Sequence, residues 1–163
     1  MPDRRLFLTA SLLATLGLSQ GCSDSTTEPA LETEFTATLT GANERPNPVN
    51  STATGTATVT IVGENSLSYS ITVAGITNVT AAHIHIGKAS VAGAVLVGVL
   101  PGTPPTGTFT GTLSSGTITV TDMATAPISM PTLIAMIRNG DTYINVHTTA
   151  NQGGEIRGQL VPQ

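Results

Sequence analysis

From Glu34 onward the chain places an apolar residue at every second position, with threonine or serine between. Phe35, Ala37 and Leu39 open the pattern. Gly55, Ala57, Val59 and Ile61 continue it through 54–62, and Leu67, Tyr69, Ile71 and Val73 repeat it. Successive side chains of an extended segment project to opposite faces, so a period of two means one face buried and the other wet. Further segments of this kind are 78–86, 94–100, 108–113, 117–121, 142–148 and 155–161. The abundant Val, Ile and Thr suit a pleated surface, because β-branched side chains are stiff and pack well there.

Turn-forming residues separate the segments, at 43–48, 63–65, 101–105, 114–116 and 151–154. Many short strands at close spacing predict an all-β fold, an antiparallel β-sandwich. One stretch breaks the period. Pro131 is followed by Leu133, Ile134, Met136 and Ile137, a helical spacing. Ser129 can cap the start of a short helix and Gly140 can follow its end. Charged residues are only 10% and the net charge is −4, with no basic cluster after the first residues. Such a chain has nothing to neutralise a phosphate backbone, which argues against nucleic-acid binding.

The N-terminus reads as an export leader. Arg4 and Arg5 precede an apolar run from Leu6 to Leu18, followed by Ser19-Gln20-Gly21-Cys22. The run is shorter than the ~20 residues that span a bilayer, as expected of a signal peptide. Arg4-Arg5-Leu6-Phe7-Leu8 resembles a twin-arginine signal. The segment 18–22 resembles a bacterial lipobox, although Ser19 stands where that motif usually has leucine. Cys22, the sole cysteine, has no internal disulfide partner and is the expected lipidation site. The expected organisation is a leader at 1–21, a polar tether at 22–33 and one domain at 34–163.

Three segments share a polar face. In Ala82-His83-Ile84-His85-Ile86 the histidines point one way and the aliphatic residues the other. Ile144 and Val146 likewise face the core, sending Tyr143, Asn145 and His147 outward; Ile156 and Leu160 do the same for Glu155, Arg157 and Gln159. The turn at 151–154 suggests that strands 142–148 and 155–161 pair directly. If strand 81–87 neighbours strand 142–148, the imidazoles of His83, His85 and His147 converge within reach of one ion, and three imidazoles suit copper or zinc. Otherwise the histidines are ordinary surface side chains. Glu155 and Arg157 then form ion pairs or hold loop backbones, and Glu44 anchors a loop. Arg157, if close, also repels a cation.

Five segments in order resemble the CHRD (chordin-type) domain. They are the opening at Phe35–Pro46 with its Leu39-Thr-Gly-Ala-Asn43-Glu44-Arg45-Pro46, the strand Leu67–Val73, Ala82-His83-Ile84-His85-Ile86-Gly87, Gly140–Thr148, and Gly154-Glu155-Ile156-Arg157-Gly158. Arg45 departs from the aliphatic residue often found at its place. The resemblance implies a sandwich of immunoglobulin-like or superoxide-dismutase-like type, and implies no particular activity. His83-Ile84-His85 near a glycine is also similar to part of copper/zinc superoxide dismutase. That enzyme's two-metal centre needs more histidines than the three present here.

The expectation is therefore an exported, lipid-anchored binding or structural module of the cell envelope, facing the periplasm or the exterior. It meets a membrane through its lipid, and a protein or glycan partner is left open. The alternative is a redox or hydrolytic metalloenzyme using the same histidines. No Gly-x-Ser-x-Gly elbow, Walker motif or dinucleotide glycine motif occurs. A catalytic pairing of Glu44 with Glu155 depends on a separation that periodicity does not define.

Overall fold

A computed structural model of the protein describes residues 31–163. The expected leader, Cys22 and most of the tether lie outside the described residues. The described residues form nine strands: β1 (Glu34–Thr40), β2 (Thr54–Val62), β3 (Ser66–Thr77), β4 (Val79–Ile86), β5 (Val95–Gly98), β6 (Thr108–Thr119), β7 (Thr142–Thr148), β8 (Ile156–Gln159) and β9 (Val161–Pro162). Among the described residues there is one α-helix, α1 (Met130–Arg138), between β6 and β7. The sheet order is β5-β4-β7-β8-β1-β2-β3-β6, with β9 paired to β1, and all the pairings are antiparallel.

The sheet curls into a sandwich-like all-β fold around one apolar core. Phe35, Leu39, Val59, Leu67 and Ile71 enter it from one half, and Ile84, Ile144, Val146 and Ile156 from the other. The helix covers this core with Met130, Leu133, Ile134 and Ile137. Its boundaries follow from local chemistry. The Ser129 hydroxyl accepts from the Thr132 amide, a proline stands in the first turn, and Gly140 follows at φ +66°.

One expected turn is absent. Residues 114–116 lie inside β6, which pairs with β3 through Ser70↔Ser115 and Tyr69↔Gly116. The glycine lies under the Tyr69 ring, where a Cβ would sit 3.1 Å from the phenol oxygen. Here glycine makes room for an aromatic ring and does not turn the chain.

Candidate metal centre

Strand β4 lies between β5 and β7, and β7 between β4 and β8. The β4–β7 register sets Ala81 opposite His147, His83 opposite Asn145, and His85 opposite Tyr143. The β7–β8 register then sets Asn145 opposite Arg157 and Tyr143 opposite Gln159. Opposed residues in an antiparallel pair share a face. All three imidazoles therefore meet on the face opposite Ile84, Ile144 and Val146, each of which is fully buried.

That face is not wet. His85 is 7% exposed, His147 9%, Asn145 3%, Arg157 2% and Glu44 3%; His83 is half-buried. This corrects the expectation that the polar sides of β4, β7 and β8 look into solvent. Strand β7 is buried on both sides along its whole length. Alternation along a strand separates two faces but does not record what folds over the second. Here three loops do so, at 41–53, 87–94 and 149–155, and each is tied down by a hydrogen bond from the face. His85 Nδ1 donates to the Gly93 carbonyl at 2.9 Å. His147 Nδ1 donates to the Gln152 carbonyl at 3.0 Å. Arg157 Nη2 donates to the Lys88 carbonyl at 2.9 Å, and Gln159 donates to the carbonyls of Gly87, Gly140 and Thr142.

These bonds determine the tautomers. A carbonyl only accepts, so Nδ1 carries the proton in both His85 and His147, and Nε2 of each is left as an acceptor. The Nε2 of His147 lies 3.0 Å from Nδ1 of His83, which donates to it. The Nε2 of His85 is buried with no partner. One nitrogen from each ring lies within 4.8 Å of the other two. Metal–nitrogen bonds of about 2.0 Å need nitrogens roughly 3.3–3.5 Å apart, so side-chain adjustments of about 1 Å would close the set.

The surroundings keep the rings neutral. Burial lowers the His83 pKa to about 4, and the neighbouring His147 and His85 add to the shift. His85 and His147 are also lowered, in both cases chiefly by burial and against the opposing effect of their carbonyl bonds. Neutral imidazole is the ligand form. Tyr143 stacks on His85 with centroids 5.0 Å apart and planes 15° apart. The guanidinium carbon of Arg157 lies 3.4 Å from the Tyr143 ring centre. The Tyr143 hydroxyl accepts from the Gly93 amide at 3.0 Å, so the stack and the covering loop hold each other.

The two glutamates sit apart from the imidazoles. Glu44 accepts from the Asn145 amide at 3.4 Å. Burial raises its pKa to about 7 despite the opposing charge of Arg157. Glu155 accepts from Ser51, Thr148 and Asn151. Burial alone would raise the Glu155 carboxyl, but these bonds together hold it below the usual range. Neither glutamate forms an ion pair: among the described residues the only one is Lys88–Asp141, at 2.6 Å. Periodicity missed the carbonyls of Gly93 and Gln152, because backbone acceptors leave no mark on side-chain identity. Glycine is required at 93, since any side chain there would collide with the Ile86 carbonyl.

Fold and site together define a class of protein: an all-β sandwich-like domain with a cluster of three imidazoles on a covered polar face. A family model, the CHRD domain, matches residues 35–160, and the chain belongs to that family. No curated protein and no solved structure matches the chain.

Proposed function

We propose that this CHRD domain is the metal-binding module of an exported, lipid-anchored envelope protein, holding one copper or zinc ion on His83, His85 and His147. The observation that carries the reading is the Nε2 atom of His85. It is a buried lone pair with no hydrogen-bond partner, beside two other imidazoles whose nitrogens also converge. An unpaired buried acceptor normally costs about 1–3 kcal/mol, and a metal ion would satisfy it together with its two neighbours. The carbonyls of Gly93 and Gln152 supply the outer support that metal-bound histidines ordinarily have. For His83 to offer Nδ1, its proton moves to Nε2; the other two rings need no change of tautomer.

A bound ion would supply a Lewis-acidic or redox centre. The chain's own groups favour holding an ion over performing catalysis with it. Among the described residues no carboxylate groups with the three imidazoles; Glu155 is engaged by Ser51, Thr148 and Asn151, and Glu44 is held on one oxygen by Asn145. The leader-like segment and Cys22 support export and anchoring by a lipid. The test is the metal content of the purified protein beside a His83→Ala, His147→Ala variant that still folds. About one equivalent of copper or zinc is expected in the first and a loss in the second. Equal contents would refute the site.

A further inference from the structure

We infer, resting on the metal-binding reading above, that the site selects copper in its +1 state over Cu(II) and Zn(II), and that Arg157 sets this preference. The three ligands are neutral imidazoles and bring no negative charge. Among the described residues no carboxylate joins them in a set of potential ligands. A buried positive charge lies on the same face. Arg157 is buried to 2% exposure, forms no salt bridge, and lies 3.4 Å from the Tyr143 ring centre. Tyr143 in turn lies 5.0 Å from His85 in a parallel stack. Guanidinium, phenol ring and imidazole thus lie in successive contact on a buried face. Arg157 cannot swing away, because Nη2 is tied to the Lys88 carbonyl.

A fixed positive charge repels a divalent ion twice as strongly as a monovalent one at the same place. At the separation this stack implies, and with an effective dielectric constant of about 20, the difference is on the order of tenfold in relative affinity. Cu(I) is also content with three nitrogen donors, whereas zinc sites ordinarily complete a fourth position. Among the described residues Glu44 is the carboxylate whose charge opposes Arg157, while Arg45 adds a second positive charge. Glu44 carries part of the compensation when ionised.

The experiment measures Cu(I), Cu(II) and Zn(II) affinities of the purified full-length exported protein by chelator competition at pH 8. It compares wild type with Arg157→Gln, Arg157→Lys and Glu44→Gln, each checked for folding by circular dichroism. The ratio of Cu(I) to Zn(II) affinity, and of Cu(I) to Cu(II), is expected to fall on the order of tenfold in Arg157→Gln. It should stay near wild type in Arg157→Lys and rise in Glu44→Gln. If Arg157→Gln does not fold, the other two variants decide. Ratios unchanged in Arg157→Gln, a fall in Arg157→Lys equal to that in Arg157→Gln, or a fall in Glu44→Gln overturns the inference while leaving the metal site in place. Failure of the wild type to bind any of the three ions overturns both.

Discussion

A neutral imidazole that gives its Nδ1 proton to a backbone carbonyl keeps one lone pair, and the fold decides where that lone pair points. In His147 it meets Nδ1 of His83, in His85 it is buried without a partner, and one nitrogen of each ring lies within 4.8 Å of the others, which is why three ordinary side chains can act as one ligand set. Glu44 shows how the same covered face treats an acid. Its pKa is about 7 in the folded protein, against an ordinary value of 4.5. A folded pKa above the unfolded one gives stability that is complete below pH 4.5 and is lost as the pH rises through 7. Glu44→Gln keeps the shape without the titration. It should therefore gain on wild type between pH 5 and pH 8, by about 1–2 kcal/mol after allowance for solvent screening. Urea midpoints at the two pH values check this, and a constant difference would contradict it.

The elements that carry the site are strands β4, β7 and β8, but the elements that make it dry are loops. Gly93 is the clearest case. A Cβ there would lie 1.6 Å from the Ile86 carbonyl oxygen, so Gly93→Ala must displace the loop that receives His85. We expect a loss of about 2–4 kcal/mol and weaker metal binding. Gly153→Ala, on the loop over His147, meets nothing within 4 Å and has no left-handed φ, so its effect should stay within about 0.5 kcal/mol. Denaturant titration of the pair separates a steric requirement from general loop tolerance. Helix α1 offers an independent check. Ser129→Ala removes the acceptor for the Thr132 amide and should cost about 1 kcal/mol, with no effect on metal affinity, because the helix caps the core and not the histidine face.

At the scale of the whole molecule, strand period and turn chemistry were enough to anticipate an all-β sandwich with one helix, since each segment's buried face is written in its own residues. They were also enough to anticipate that His83, His85 and His147 share the face opposite Ile84 and Val146. Two things could not be read locally. The adjacency of β4 and β7 is a long-range pairing, and the burial of the polar face depends on loops whose contacts are made by backbone carbonyls. The Ser114–Gly116 stretch failed for a related reason, as its glycine answers to Tyr69 on another strand. Attachment is a separate question at this scale. If Cys22 bears lipid, Cys22→Ser should move the protein from the membrane to the soluble fraction, and unchanged fractionation would contradict the anchor. The most direct test of the central claim is a crystal of the protein grown with copper or zinc, measured at the metal's absorption edge. The account predicts one anomalous peak bonded to nitrogens of His83, His85 and His147 at about 2.0 Å. A peak placed elsewhere, or none at full metal occupancy in solution, would contradict it.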